Sequence, residues 1–271
     1  MTDLYAVIGN PISQSKSPAI HAAFAASLGH DVEYRAIEAP LDGFRNSIEA
    51  FRAAGGLGLN VTAPFKLEAF ELSTVRSQPV QRAEASNCLR FVDGRVEAEN
   101  FDGVGLRIDI EDNLATPLAG RRVLILGAGG AARGILAPLL ASNPAALMLA
   151  NRSITKAVAI AELFSGVEPC ALDGLGRHTG FDVVINATSA GLHGEAMALS
   201  ASIFANGALA YDLSYGKGLT SFLYAAKSAG VERLHDGVGM VVEQAAESFA
   251  WWRGVRPTTR DIIAQLTKPL N

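Results

Sequence analysis

The chain has 271 residues, of which 49% are hydrophobic and 18% charged, and it carries a formal net charge of −4. That length exceeds the usual span of one core and predicts two domains, while the apolar share predicts well-buried sheets and excludes extensive disorder. A mild acidic excess without any basic block excludes nucleic acid as a main partner, because backbone phosphates call for clustered lysine and arginine.

Residues 4–8 read as a strand. The loop after it, Gly9-Asn10-Pro11-Ile12-Ser13-Gln14-Ser15-Lys16-Ser17-Pro18, is crowded with hydroxyl and amide groups. Ser17 ahead of Pro18 is the pattern of a helix N-cap, whereas Ser15 has no evident structural duty. The helix that follows places Ile20, Phe24 and Leu28 on one face and stops at Gly29. A second strand covers residues 32–37, and Phe44, Ile48 and Phe51 mark the next helix. A third strand, residues 58–61, leads into Thr62-Ala63-Pro64-Phe65-Lys66, where Pro64 suits a first helical turn and so sets Lys66 near a helix N-terminus. A cation there opposes the helix dipole at a cost of about 0.3–1 kcal/mol, so stability alone would not choose lysine. An acid or base would have reason to stand there. Residues 87–92 and 95–99 then flank Asp93-Gly94, a strong two-residue hairpin signal.

Asn100-Phe101-Asp102-Gly103-Val104-Gly105 falls at the expected boundary between domains. Asp102 has two readings. It caps the helix that continues through Leu106 and Ile108, or its carboxylate partners Lys66 in a charged pair able to pass a proton to a developing alkoxide. Ser15, Ser17, Asn60, Thr62 and Asn87 add neutral donors and acceptors suited to a polyhydroxylated or carboxylated small molecule.

Beyond the boundary, Val123-Leu124-Ile125-Leu126 turns through Gly127-Ala128-Gly129-Gly130-Ala131-Ala132 into a helix. Gly127 allows the tight turn, Gly129 lets backbone approach a pyrophosphate, and Ala132 keeps helix and strand close, the pattern of a dinucleotide-phosphate cradle. Residues 146–150 supply the second strand of that βαβ unit, ending at Asn151-Arg152-Ser153 with Lys156 a turn later. No acid stands there to hold the free 2′-hydroxyl of NAD, whereas Arg152 suits a forked, charge-assisted grip on a 2′-phosphate. NADP is therefore the expected cofactor, the plainer alternative being a solvated basic edge. Later strands, residues 182–187 and 209–213, bring Thr188 and Leu213 to the same sheet edge, and one long helical stretch, residues 240–252, is expected to return to the first domain.

The first five residues lack a charged lead into an apolar core, so no signal peptide is expected, and no run of about 18 apolar residues offers a membrane span. A cytoplasmic protein is the expectation. Cys88 and Cys170 are far apart without metal-ligand spacing, so neither a disulfide framework nor a metal site is expected, and the five scattered histidines read as surface or hydrogen-bonded structural residues.

In family order, residues 5–21, 58–66, Asn87, 100–105, 127–134, 151–156, Asn186-Ala187-Thr188-Ser189, Tyr211-Asp212-Leu213-Ser214-Tyr215 and 237–252 resemble the NADP-dependent shikimate dehydrogenases over almost the whole chain. The resemblance implies an α/β protein with an N-terminal substrate-binding catalytic domain over residues 1–102, a Rossmann-type doubly wound NADP domain over 103–236, and C-terminal helices, 237–271, returning to the first across a cleft. It implies that Lys66 and Asp102 are the acid/base pair and that Ser15, Ser17, Asn60, Thr62, Asn87, Tyr215 and Gln244 contact substrate. It also implies cofactor contacts at Gly237 and Met240, which by pattern alone read as a hinge and a core residue. The family's reaction is reversible hydride transfer between NADPH and the C3 carbonyl of 3-dehydroshikimate, giving shikimate for aromatic amino-acid biosynthesis. Small molecules are the implied partners, and a homodimer is left open.

Three departures from the family pattern stand out. Ser86-Asn87-Cys88 replaces a common Val-Asn-Thr, no proline follows Thr220, and Gln78 stands where relatives often carry an acid. An NAD-preferring quinate/shikimate dehydrogenase would place an acid at Asn151-Arg152 and a bulkier hydroxyl residue at Ser17. A non-catalytic NADP-sensing module would need Gly127, Gly129 and Arg152 without Lys66 and Asp102 together.

Overall fold

The computed structural model describes residues 2–188, 199–216 and 218–270; Ser189 and Lys217 lie outside them. The chain forms two compact units, Met1–Gly105 with Val241–Gln265, and Leu106–Met240 with Leu266–Asn271.

The first unit opens with β1 (Asp3–Gly9), α1 (Ser17–Leu28), β2 (Val32–Glu38), α2 (Phe44–Ala53), β3 (Gly56–Val61) and α3 (Lys66–Leu72). It continues through β4 (Val75–Arg76), α4 (Gln78–Ala83), β5 (Cys88–Val92), β6 (Arg95–Glu99) and the first residues of α5 (Asp102–Ile108). Six strands pair in the order β2-β1-β3-β5-β6-β4, parallel across β2-β1-β3 and antiparallel from β3 through β5 to β6. Phe44, Ile48 and Phe51 share one face of α2 and join Leu4, Ala6, Ile8 and Leu59 in the core. The expected hairpin is present, with Asp93 and Gly94 at φ 50° and 77° as a tight primed turn requires.

Two local expectations need correcting. Ser17 is the first helical residue of α1, not its N-cap, and the Ser15 hydroxyl accepts from the Ser17 N–H at 3.3 Å, so Ser15 does shape the helix entry. Pro64 stands before α3, because Phe65 N–H bonds back to Thr62 O at 3.1 Å and closes a turn there; helix starts at Lys66.

His21 also departs from expectation. It is 1% exposed, its Nε2 lacks a hydrogen bond of ordinary geometry among the described residues although Asn60 stands beside it, and its ring stacks on Tyr34 at 4.1 Å. Burial lowers its pKa to about 3. In the unfolded chain the imidazole takes a proton below about pH 6.5, whereas in the fold it stays neutral down to about pH 3. Stability is therefore lost as pH falls across that window. His21→Phe is expected to shrink the drop in urea-unfolding free energy between pH 7 and pH 5 by about 2 kcal/mol; an unchanged drop would show that other groups cause it.

The second unit is a parallel sheet of β7 (Arg122–Leu126), β8 (Ala146–Asn151), β9 (Val167–Ala171), β10 (Phe181–Asn186), β11 (Phe204–Asp212) and β12 (Arg233–His235). Among them run α6 (Gly130–Ala141), α7 (Ile154–Ala161) and α8 (Ser221–Ser228). The spatial order is β12-β11-β10-β7-β8-β9, every pair parallel, which is the dinucleotide-binding order with its reversal point between β7 and β10. A widened π-turn, Asp109–Asn113, follows α5.

The chain then enters α9 (Val238–Arg253) and α10 (Arg260–Leu266). Val242, Ala245, Ala246 and Phe249 are spaced along one face of α9 and all at most 1% exposed. From Val241 onward α9 belongs to the first unit, where Trp252 Nε1 donates to Leu89 O at 3.1 Å. The divisions at 105/106 and 240/241 lie a few residues beyond those expected. Gly105 N–H bonds back to Phe101 O at 2.9 Å, and Met240 N–H to Tyr211 Oη at 3.3 Å, so each helix keeps its opening turn with the unit it leaves. No described helix is long and apolar enough to cross a membrane.

Candidate active site

In the first unit a polar network gathers where β3, β5, α3, α5 and α9 meet. Lys66 opens α3, and its Nζ lies 2.5 Å from Asp102 Oδ2. Asp102 opens α5 and donates its own N–H to Asn100 Oδ1 at 3.2 Å, while its carboxylate turns to the lysine. Its other oxygen accepts from Asn87 Nδ2 at 2.8 Å. That nitrogen also donates to Gln244 Oε1 at 3.1 Å, while Asn87 Oδ1 takes the Phe101 N–H at 2.8 Å. Lys66, Asp102, Asn87 and Gln244 thus form one chain of contacts, with Asp102 5% exposed and the Lys66 side chain 13% exposed. Pairing also offsets the unfavourable helix-terminus position of Lys66.

Asn60 supports this chain from behind. Both N–H groups of its amide are committed, to Ser248 Oγ at 2.8 Å and to Asn87 O at 3.3 Å, and its Oδ1 takes the Tyr34 hydroxyl at 2.7 Å. Tyr34 and Ser248 escaped the sequence reading. Asn100 was read only as part of the motif around Asp102, and Ser248 left a trace by standing four residues after Gln244 on the same helical face. Cys88 beside this network is buried and free, and burial holds its thiol well above the ordinary range, leaving it unreactive. Ser15 and Thr62 are half-buried in the turns that precede α1 and α3, and Ser17 is buried at the first position of α1.

In the second unit Gly127 and Thr188 meet at the reversal point of the sheet, and the predicted cofactor residues outside the Gly127 turn end or follow β8 and β11 or stand at the start of α9. Gly127 has φ 106°, and a Cβ there would lie 3.0 Å from Ala187 O and from Thr188 Cγ2, so the turn out of β7 admits only glycine. Among the described residues, a Cβ at Gly129 would meet nothing within 4 Å and no side chain caps the first-turn amides of α6, while Ala132 is fully buried. Open backbone beside uncapped amides fits a pyrophosphate, and Ala128, Gly130 and Ala131 complete the turn. Thr188 is fixed by Asn186 Oδ1, which receives both its N–H at 3.1 Å and its hydroxyl at 2.7 Å.

At the end of β8, Asn151 Nδ2 donates to Ser153 O at 3.0 Å and Ser153 precedes α7. Arg152 and Lys156 are exposed, and neither enters an ion pair among the described residues. Two unneutralised cations and no acid suit a 2′-phosphate. Leu213 and Tyr215 lie in the turn after β11, shaped by Asp212, which accepts from Ser214 N–H at 2.9 Å and from the Thr220 hydroxyl at 2.6 Å. Gly237 is more than a hinge, for a Cβ there would reach 2.3 Å from Leu213 O, and Met240 is 7% exposed.

A protonatable lysine held by a carboxylate, together with a dinucleotide-type sheet that favours an added phosphate, belongs to the chemistry of hydride transfer: the class is that of NADP-dependent oxidoreductases. The family model for the shikimate dehydrogenase substrate binding domain matches residues 7–89, that for shikimate / quinate 5-dehydrogenase residues 110–198, and that for the shikimate 5′-dehydrogenase C-terminal domain residues 237–267. The chain belongs to the shikimate dehydrogenase family. A shikimate dehydrogenase (NADP(+)) of Dechloromonas aromatica (strain RCB) is 53% identical over 272 residues, covering 100% of this chain and 99% of that one. Among solved structures, an Ael1 enzyme from Pseudomonas putida is 54% identical with a TM-score of 0.91 and complete coverage of both chains. A shikimate 5-dehydrogenase from Thermus thermophilus, in complex with NADP(H) and shikimate, is 32% identical with a TM-score of 0.86, covering 97% of this chain and 98% of that one.

Proposed function

We propose that this chain catalyses the reversible, NADP-dependent reduction of 3-dehydroshikimate to shikimate, with Lys66 and Asp102 as its proton-transfer pair. The observation that carries the assignment is the 2.5 Å contact between Lys66 Nζ and Asp102 Oδ2 inside a hydrogen-bonded network. When bound, NADPH supplies the hydride that reaches C3 of the substrate. Lys66 donates a proton from Nζ to the former carbonyl oxygen as negative charge grows on it, and regains one from solvent afterwards. Asp102 aims the ammonium and accepts from a substrate hydroxyl, while Asn87 and Gln244 hold the carboxylate at its angle. Ser15, Ser17, Thr62 and Tyr215 are the further substrate contacts, and Asn60 acts through the network that it braces. Such fixed orientation is a major source of rate, since well-aligned reactants gain about 7–11 kcal/mol over chance encounter.

The first unit is the substrate-binding catalytic part, and the second binds NADP through Gly127 to Ala131, Asn151 to Ser153, Lys156, Thr188, Leu213, Gly237 and Met240. A cytoplasmic setting, where thiols stay reduced, suits a chain whose Cys88 and Cys170 are both free. Its ligands are small molecules; light scattering on the purified chain reads whether it works alone or as a homodimer. The deciding assay compares kcat/KM for shikimate and quinate with NADP and with NAD. Shikimate with NADP is expected to be the fastest pair, and faster turnover of quinate with NAD would overturn the assignment.

A further inference from the structure

Behind Met240 lies a buried polar arrangement in which the chemistry above has no part. Tyr211, fully buried on β11, donates its hydroxyl to Asp109 Oδ2 at 2.6 Å and accepts the Met240 N–H at 3.3 Å. Asp109 opens the π-turn and is 4% exposed, and Asn113 Nδ2 holds its second oxygen at 2.9 Å. A Cβ at Gly239 would come within 1.9 Å of Asp109 Oδ1, so the start of α9 is pressed directly onto this carboxylate. One extra methyl group on that helix would dislodge the acid. Burial and the neighbouring carboxylate keep the Tyr211 phenol well above its ordinary pKa, so it remains a hydrogen-bond donor at any working pH.

A buried carboxylate is costly unless its oxygens are engaged, and π-turns within helical segments tend to occur at functional positions. Core packing alone would have been served by phenylalanine and an apolar residue. We propose that Asp109 and Tyr211 are positioning residues that fix the Met240 backbone, and through it the surface offered to the nicotinamide ring, without touching the cofactor themselves. The inference rests on the reading of Met240 as a nicotinamide contact. Its consequence is selective: Arg152, proposed to grip the 2′-phosphate on the adenosine half, follows β8, which β10 and β7 separate from Tyr211 on β11.

Calorimetric titration of the full chain with NADP+ and with 2′,5′-ADP, which lacks the nicotinamide half, tests this. Tyr211→Phe is expected to weaken NADP+ binding by about two- to tenfold, as fits the loss of one hydrogen-bonded hydroxyl, and to leave 2′,5′-ADP binding unchanged. Asp109→Asn, which keeps the shape and an acceptor oxygen, is expected to lose less. Equal losses for both ligands, or none for either, would overturn the proposal, and so would failure of both variants to fold, since the pair would then be a fold element only. Met240→Ala separates the two readings. If it weakens NADP+ while Tyr211→Phe does not, the positioning role fails alone; if Met240→Ala leaves NADP+ binding intact, the nicotinamide contact itself is wrong and the inference falls with it.

Discussion

Lys66→Ala is expected to lower kcat by about a thousandfold, the middle of the range for a removed general acid, with little change in NADP affinity. On the proposed mechanism, loss of the ammonium removes the donor assigned to the developing alkoxide, and the proton must come from water. Cofactor binding should survive because the residues proposed to hold NADP belong to the other unit. A fold effect is the competing explanation, since removal of Lys66 leaves the Asp102 carboxylate, 5% exposed, without its cation. Asn87 Nδ2 still reaches one of its oxygens at 2.8 Å, which limits the cost. Measurement of kcat, the NADP dissociation constant and the thermal midpoint on one preparation separates the two. Near-normal turnover would remove Lys66 from the mechanism, and a collapse of NADP affinity would point to a global defect instead.

The sequence exposed the sheet-to-helix turns most clearly, since their chemistry is local. Gly127, Gly129 and Ala132 each carry a distinct steric demand, and the fold meets all three, as it meets the Asp93-Gly94 turn. Contacts over long separations were less legible. Lys66 and Asp102 are 36 residues apart, and Asn87 and Gln244 157 apart, so nothing in their local pattern announces that they touch. Pairing of Lys66 with Asp102 stood as one of two readings of Asp102 until the family resemblance favoured it, and that resemblance named no role for Tyr34, Asn100 or Ser248, which hold the named residues in place. Strand β9 was hidden because Pro169 interrupts it, a break tolerated at the sheet edge it occupies. Strand β4 has two residues, too few for any alternation to register. Asp109 carried no signal in the sequence, since only the widened turn after α5 brings its carboxylate to Tyr211 and Gly239. Ser17 misled through the proline rule, because proline is also accepted at the second helical position, where Pro18 stands.

Arg152→Ala is expected to raise KM for NADP by about ten- to a hundredfold and leave KM for NAD nearly unchanged, as loss of a charge-assisted hydrogen bond worth about 1.5–3 kcal/mol requires. The two cofactors differ only in the 2′-phosphate, so a group that grips that phosphate must discriminate between them. Arg152 is exposed at the end of β8, and the turn beneath it is set by the 3.0 Å bond from Asn151 Nδ2 to Ser153 O, which the substitution leaves in place. Lys156 lies on the first turn of α7 and adds a second positive charge. It is a point charge without the planar fork, so Lys156→Ala should cost less than Arg152→Ala. Exposure makes the clamp sensitive to salt: the advantage of NADP over NAD should narrow as ionic strength rises from low values to several hundred millimolar, where the screening length falls below about 10 Å. Initial rates with both cofactors, for the unaltered chain and for Arg152→Ala at two salt concentrations, read all of this in one experiment. An equal loss for NADP and NAD would mean that Arg152 supports the adenine or the turn itself, and the preference for the phosphorylated cofactor would have to come from elsewhere in the second unit.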